Sequence, residues 1–381
     1  MYKFIVVLLT VFCSQFLASE ASVTLDPNDP RWKWMDEQID QEFKPFERKG
    51  ITKKLLDATI KKIPEISFGN ALKRYQIINR QVIGPDGEAK DLLKRIIDLY
   101  HVPNVDIIVH LQDIIWEPKT LPGPVLATCK IKNSSEMMIH FPVQSWAEWA
   151  NNFSKIIPPL SDNFSWEMKS GKVFWRGWCN DGDNYNDPNL WTLRPRGKLC
   201  YLSQHHPESI DAAFSGNHPW MLKTEIIDEF YRFFPKKMST WDDYLSHKYL
   251  IDLDGYVAST PGCAWKLLSN SAVFKHASPF TLWYYTAIKP WVHFIPLQHD
   301  ISDLLEKIEW ARSHDAEAHQ IAENGRRFIL ENAMPEHLYL YCYKVLVKYA
   351  SLQRYQPSDT SSTPSSSSKK KSKHKSHKKY R

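Results

Sequence analysis

The feature that most constrains the fold is the run Val105-Asp106-Ile107-Ile108-Val109-His110-Leu111. Its nearly continuous β-branched and apolar residues are typical of a strand that a parallel sheet buries on both faces. A helix is predicted before it, over residues 89–100. Further strands are predicted over residues 137–141, 172–175, 249–253, 272–275 and 292–297, and further helices over 195–205, 266–270 and 300–312, the last capped by Asp300. This alternation predicts an α/β fold.

The chain is long and apolar enough to bury a large core. It has 381 residues, of which 43% are hydrophobic, and 15 are Trp, which excludes a disordered or fibrous protein. This length predicts two domains. A boundary is expected within residues 157–172, where Pro and then Ser-Gly interrupt the pattern, so the predicted domains are residues 22–165 and 166–350.

The N-terminus has the pattern of a secretory signal peptide. Lys3 precedes an apolar run over residues 4–17, and the small residues Ser19 and Ala21 follow, which predicts a signal peptide over residues 1–21 that is removed. An uncleaved anchor and an N-terminal core helix are the alternatives. The mature chain is therefore expected in the lumen of the secretory pathway (the endoplasmic reticulum), in a periplasm or outside the cell.

The net charge of +6 comes from the C-terminal tail. Residues 369–381 hold seven Lys, one Arg and no acid, and the rest of the chain has 41 basic and 43 acidic residues. The body is therefore not expected to bind nucleic acid. Residues 351–381, rich in Ser and Lys, predict a disordered tail, which is either a solvated tether or a contact for an anionic surface.

The cysteines do not indicate a metal site. Five remain after residue 21. Zinc sites commonly contain CxxC pairs, and none of these five cysteines forms one. The odd number allows one or two disulfides and leaves at least one thiol unpaired. The sequence thus predicts no bound metal and no cofactor.

The residues that follow each predicted strand are the first candidates for a site, because open α/β sheets bind ligands at the carboxyl ends of their strands. Asp113 follows the first strand and is a candidate general base, since apolar neighbours would raise its basicity; a helix cap or turn is the alternative. Arg176 and Gly177 end another strand and suit the approach of an anion, unless Arg176 forms a structural salt bridge. Arg194 and Arg196 begin a predicted helix, where amides also favour anions.

A second group of candidates follows the strand predicted at 249–253. Val257, Ala258 and Ser259 could present backbone amides to a diphosphate, with Lys266 in the helix beyond. Asp252-Leu253-Asp254 matches the DxD pattern of metal-dependent enzymes, but this short pattern lies within a strand, and we expect no metal there. The aromatic run 290–296 could flank a base or a sugar, and core packing is its default interpretation.

Several stretches resemble glycosyltransferase family 90, which includes protein O-glucosyl- and O-xylosyltransferases, capsule-associated fungal proteins and lipopolysaccharide-modifying bacterial proteins. Their order and spacing from about Arg74 to about Asn332 carry the resemblance. They are residues 74–78, the strand that leads to Asp113, Phe174-Trp175-Arg176-Gly177, and residues 248–255, 265–271, 289–296 and 300–304.

The resemblance implies a GT-B-like fold, with two Rossmann-like domains facing a central cleft, and an inverting, metal-independent transfer. It implies an acceptor side at residues 22–165 and a UDP-sugar site at 166–350. Asp113 matches the family's base, Arg196 aligns with its donor-binding arginine, and the diphosphate loop resembles residues 257–259. The donor is expected to be UDP-glucose or UDP-xylose, and the acceptor a protein, a lipid-linked glycan or a polysaccharide.

Two departures from the family pattern are visible. Animal members carry Ser-Phe-Arg after the small residues of the diphosphate loop, whereas this chain has Ser259-Thr260-Pro261-Gly262, so Lys266 could supply the charge instead. Trp178 stands where animal members have a donor-binding Ser. The alternative hypothesis is therefore a catalytically inactive protein of the same fold that binds a glycan or a nucleotide.

Overall fold

The computed structural model describes residues 24–62, 71–115, 118–133, 136–144, 146–181, 183–215 and 222–358. The signal peptide predicted over residues 1–21 lies outside these residues. So does most of the tail predicted over residues 351–381, of which only 351–358 are described.

Strands and helices alternate along the described chain. The strands are β1 Leu72–Ile78, β2 Gln81–Ile83, β3 Val105–His110, β4 Val125–Ala127, β5 Lys130–Ile131, β6 Met138–His140, β7 Ser170–Gly177, β8 Ile210–Phe214, β9 His247–Asp252, β10 Ala272–His276, β11 Phe280–Thr281 and β12 Ile295–Leu297. The α-helices are α1 Lys33–Phe43, α2 Lys53–Lys61, α3 Glu88–Leu99, α4 Trp146–Glu148, α5 Ser154–Ser161, α6 Pro195–His205, α7 Ile227–Phe233, α8 Trp241–Leu245, α9 Gly262–Leu268, α10 Leu304–Ser313, α11 Asp315–Asn332 and α12 Pro335–Leu352.

The first sheet has the strand order β2-β1-β3-β4-β6. β3, β4 and β6 are parallel, whereas β1 pairs antiparallel with β2 and β3. Every residue of β3 is buried, as the sequence predicted. Helix α3 covers part of this sheet because its apolar residues recur at helical spacing, so that Leu92, Leu93 and Ile96 face the core.

The second sheet is parallel throughout, with the order β12-β10-β9-β7-β8. Numbered along the chain and viewed from the β8 edge, its strands follow the doubly wound order 2-1-3-4-5. The direction of winding reverses between β7 and β9. In such sheets the crevice outside the carboxyl ends of these two strands is the usual ligand site.

Several segments join the two halves. β5 pairs antiparallel with β11, and α12, although it follows the second sheet in sequence, packs against α1, α3 and β3. One hydrophobic core lies within the second half, and the other extends from the first sheet onto Phe174 and Leu250 of the second. The division at residues 165 and 166 stays a prediction.

The architecture is the expected one: an α/β fold in which two domains, each built on a five-stranded sheet, face a central cleft in a GT-B-like arrangement. The predicted cap at Asp300 is wrong, because α10 begins only at Leu304, after a turn in which the Asp300 carboxylate accepts the backbone N–H of Ser302. The aromatic strand predicted at 292–297 is shorter in the structure and is limited to β12, since Trp291 adopts a positive φ in a turn.

Among the described residues, no helix is both long and apolar enough to cross a membrane.

Candidate functional site

A buried arginine holds together the crevice between β7 and β9. Arg196, in the first turn of α6, donates from Nε to the Asp254 carbonyl (2.9 Å) and from Nη2 to the Leu253 carbonyl (3.1 Å). Its Nη1 donates to the Trp178 carbonyl (2.8 Å) and to Asn180 Oδ1. One guanidinium therefore connects the chain that leaves β7 to the chain that leaves β9. This is the switch point of the sheet, and Arg196 shapes it.

The crevice is closely packed around Gly255. A Cβ at this position would lie 2.9 Å from Asn180 Oδ1 and 3.0 Å from Arg196 Nη2, which is closer than ordinary contact. Trp178, whose carbonyl accepts from Arg196, is 48% exposed, and Tyr256, which follows Gly255, is 39% exposed. The Trp178 departure from the family pattern thus lies beside Arg196.

Arg176 is placed differently from the prediction. Its side chain is only 5% exposed and forms an ion pair with Asp211 (Nη2 to Oδ1, 2.8 Å), while Nη1 donates to the carbonyls of Asp211 and Trp175. Arg176 therefore forms a structural salt bridge, the alternative that the sequence left open. Gly177 is a paired residue of β7, and a side chain there would overlap the Trp175 ring.

The loop between β9 and α9 carries Val257, Ala258 and Ser259. Ala258 is buried, and the other two are partly exposed. A Cβ at Gly262 would overlap Ser259 Oγ and would stand 3.5 Å from Lys266 Nζ. Ser259 and Lys266 therefore meet at one corner of the loop, which we call the Ser259 corner. A phosphate could accept hydrogen bonds from the hydroxyl and the ammonium group, and the glycine leaves room for its approach.

Lys266 shares a buried carboxylate with a second lysine. Its Nζ lies 2.8 Å from Oδ1 of Asp252, and Lys275 Nζ lies 2.9 Å from Oδ2 of the same carboxylate. Burial would raise the pKa of Asp252, but the two lysines lower it well below its ordinary value. One carboxylate is thus shared by two ammonium groups.

Asp254, at the end of the same strand, is also buried. Its backbone N–H donates to His276 Nε2 (2.9 Å), and its Oδ2 lies 3.1 Å from the same nitrogen. Burial would raise the pKa of Asp254, but His276 and then Lys275 lower it. Asp252 therefore has two ammonium partners, whereas the carboxylate oxygens of Asp254 have no hydrogen-bond partner among the described residues. Within the described ranges, no group of three or more His, Cys, Asp or Glu is arranged to hold a metal ion.

Asp113 lies across the cleft, in a bend just after β3. Its side chain is exposed, so the predicted burial among apolar neighbours is wrong. Cys129, after β4, lies against the backbone of Ala258 in the β9–α9 loop, and burial raises the pKa of its thiol to about 12. The β9–α9 loop therefore packs against the first half of the chain.

A narrow pocket lies beside these groups and has walls from both halves. Gln144 lines it and donates to the Leu111 carbonyl (3.3 Å), close to Asp113, while Thr260 and Pro261 line the opposite side. The remaining walls are mostly aromatic or aliphatic: Thr128, Pro142, Trp146, Trp149, Ala264, Leu282, Trp283, Tyr284, Ala333 and Leu338.

Sequence reasoning missed several residues at this edge. Lys275 and His276 end a strand that was predicted, and inspection of that strand's carboxyl end would have found them. Asn180 had no such signal, because it lies three residues beyond β7.

The five cysteines at residues 129, 179, 200, 263 and 342 are all buried free thiols, so the described residues form none of the disulfides that the sequence allowed.

The aromatic run 290–296 contacts α10 through Trp291. Trp291 is 43% exposed and packs edge-on against Trp310 of α10, with centroids 4.6 Å apart, and Lys307 lies over its ring. These contacts lie on the surface of α10. Trp291 therefore packs on α10, and the interpretation of this run as a wall for a base or a sugar stays a prediction.

Comparison with known proteins gives a consistent family. Human protein O-glucosyltransferase 3 is 27% identical over 322 residues, covering 79% of this chain and 60% of the relative. The O-glucosyltransferase rumi of Drosophila pseudoobscura pseudoobscura is 24% identical over 365 residues, covering 90% and 84%. The chain spans about 60% of the length of the mammalian O-glucosyltransferase 3 proteins that it matches.

One solved structure, Anabaena Alr3699/HepE in complex with UDP and glucose, has a TM-score of 0.39 at 9% identity, covering 60% of this chain and 63% of that one. This similarity is too low to transfer any feature of its site. The model of glycosyl transferase family 90 matches residues 35–379, which is most of the chain and includes the described site. The chain therefore belongs to glycosyl transferase family 90.

Proposed function

We propose that the chain is an inverting, metal-independent glycosyltransferase that uses a UDP-sugar. The donor sugar is glucose or xylose, and the acceptor is a hydroxyl of a protein or a glycan, including a lipid-linked one. The observation that carries this proposal is the Ser259 corner at the carboxyl edge of the second sheet, next to a pocket whose other walls come from the half that holds the exposed Asp113. The family and the O-glucosyltransferase names of the relatives support it.

The chemistry needs two groups on opposite sides of the sugar. The acceptor oxygen attacks C1 of the sugar and forms the new C1–O bond, while Asp113 takes the hydroxyl proton. The C1–O bond to the diphosphate breaks, and UDP leaves with the bonding electrons. Lys266, Ser259 and the amides of Val257 and Ala258 would stabilise the charge that develops on the diphosphate.

The two candidate arginines take different roles in this proposal. Arg196 would act by holding the walls of the donor crevice and by offering its remaining Nη2 hydrogen to a ligand. Arg176 would act on the donor only indirectly, because Asp211 holds its guanidinium. The salt bridge would fix the end of β7, and with it the position of Gly177.

The compartment and the acceptor are part of the proposal. The pattern of residues 1–21 supports the lumen of the secretory pathway, a periplasm or secretion. The basic residues 369–381 would add contact with an anionic surface. Deletion of residues 356–381 should then reduce binding to anionic vesicles, and unchanged binding would end this idea.

The first experiment is a thermal-shift screen of the mature protein with UDP-glucose, UDP-xylose, UDP-galactose, UDP-N-acetylglucosamine, UDP and GDP-mannose, with and without EDTA. Ligands that bind the native state raise its melting temperature. A selective shift with one UDP-sugar that EDTA does not remove would identify the donor. No shift with any nucleotide would contradict the proposed donor site.

The second candidate is an inactive nucleotide-binding or glycan-binding protein. The observation that favours it is the loop Thr260-Pro261-Gly262, which lacks the arginine of animal members. The same screen, followed by an assay for UDP release, separates the two candidates. Binding of UDP without transfer or hydrolysis of any UDP-sugar would select the inactive protein.

A further inference from the structure

A chain of buried charges lies behind the Ser259 corner. Asp252 is fully buried in β9, and Lys275 is its direct neighbour in the register of β10. Lys275 Nζ donates to Asp252 Oδ2 and to the Tyr285 hydroxyl (3.2 Å), and it lies over the Tyr285 ring. Lys266 reaches the other oxygen of Asp252 from α9.

The two lysines occupy different places. Lys266 Nζ lies near Gly262, at the Ser259 corner, where a diphosphate is proposed to bind. Lys275 lies behind Asp252 and is enclosed by Tyr285. Burial lowers the pKa of Lys275, but Asp252 outweighs this effect and raises the pKa above its ordinary value. Lys275 is therefore a buried cation that does not face the corner.

The charges of this group balance. Lys266 and Lys275 carry positive charges, and Asp252 and Asp254 carry negative ones, with His276 beside Asp254. Without Lys275, the group would hold one ammonium and two carboxylates. Asp252 would then be neutralised by Lys266 alone, and the corner would repel a diphosphate.

We propose that Lys275 is a positioning residue for the diphosphate: by sharing Asp252, it keeps the Lys266 ammonium available to the ligand at the Ser259 corner. The inference rests on the proposed function, because it assigns a role within the same donor site. It explains why a lysine is buried at the end of β10, although burying a neutral side chain there would cost less free energy of desolvation.

The test compares UDP with uridine, which lacks the diphosphate, by titration calorimetry on the mature protein. Lys275→Met should weaken UDP binding by roughly tenfold, because a net negative charge is left near the ligand. Uridine should bind as it does to the wild type. A loss of affinity that is equal for both ligands would show a merely structural role and would overturn the proposal.

Lys169→Met is the matched control. Lys169 is also a buried lysine of this half, but its Nζ donates to the carbonyls of Ser269 and Asn270 and to Ser271 Oγ, and it pairs with no carboxylate of the described residues. Its removal should lower stability and leave the affinity for UDP unchanged. If Lys169→Met weakened UDP binding as much as Lys275→Met, the effect would not be specific to the shared carboxylate, and the proposal would fail.

Two further variants keep the test decisive if Lys275→Met does not fold. Asp252→Asn removes the shared negative charge and should tighten UDP binding, and weaker binding would contradict the proposal. The double variant Asp252→Asn with Lys275→Met restores the charge balance and should bind UDP nearly as the wild type does. A wild type that does not bind UDP would overturn the proposed function together with this inference, whereas normal UDP binding by Lys275→Met would overturn the inference alone.

Discussion

The two sheet edges that face the cleft are built in opposite ways. The edge of the first sheet presents Asp113 on an exposed bend, whereas the edge of the second sheet holds Arg196, Lys266 and Lys275 in buried positions with fixed partners. Pre-organised cations suit a diphosphate, since they need no rearrangement as charge develops. An exposed carboxylate suits a base that must meet an acceptor arriving from solvent. In the proposed function, this difference would separate donor binding from proton transfer.

The largest effect is expected at the open edge. Asp113→Asn should reduce transfer by roughly 10²-fold or more, the scale of general-base catalysis, and should leave UDP binding nearly intact. Turnover assays and UDP titration on the same preparation measure both quantities. Asp98→Asn, on an exposed position of α3 in the same domain, is the control and should behave as the wild type. A fully active Asp113→Asn protein would remove Asp113 from the mechanism.

The next effect is expected at the buried edge. Arg196→Met leaves the carbonyls of Trp178, Leu253 and Asp254 without their donor, so the free energy of unfolding should fall by roughly 4 kcal/mol. UDP affinity should fall at least about tenfold as the crevice loses its shape. Urea unfolding and calorimetry test the two values. Arg194→Met, two residues earlier and only partly buried, is the control and should change neither the free energy of unfolding nor the affinity for UDP. An Arg196→Met protein that binds UDP normally would contradict the account.

The two halves also differ in their response to acid. In the first half, Glu42 accepts from the His140 backbone (2.8 Å), pairs with the His140 ring and binds Lys130 (2.9 Å), while His140 Nε2 contacts the Thr281 carbonyl of β11 (3.1 Å). Burial would raise the pKa of Glu42, but His140 and then Lys130 lower it to about 2. Asp252, in the second half, is paired with two lysines and, among the described residues, with no histidine.

The Glu42 contribution has a defined pH window. The folded pKa lies below the unfolded value of 4.5, so the stabilisation is present above about pH 4.5 and is lost as the pH falls from there toward 2. Glu42→Gln should cost roughly 3 kcal/mol at pH 7, and its difference from the wild type should shrink at pH 3. Urea unfolding at pH 7, 5 and 3 measures this, and a difference that does not change with pH would contradict the ion pair.

The sequence predicted the open edge better than the buried one. A buried β-branched run was enough to predict β3 and to place Asp113 after it, although its exposure was not predicted. At the other edge, α6 was predicted with its observed bounds, Pro195–His205. The partner of Arg176 could not be found, because Asp211 lies on β8, which local pattern did not reveal. Likewise, β5 and β11 have only two residues each, so their pairing comes from tertiary contacts. The periodicity of α12 does not indicate which sheet it covers.

The most direct test of the central claim is hydrogen exchange of the wild-type protein with and without saturating UDP. The account predicts slower exchange of backbone amides in residues 253–262 and around 178–180, with α3, which packs against β2 and α12, unchanged. Unchanged exchange in residues 253–262 in the presence of bound UDP would contradict a donor site at the carboxyl edge of the second sheet.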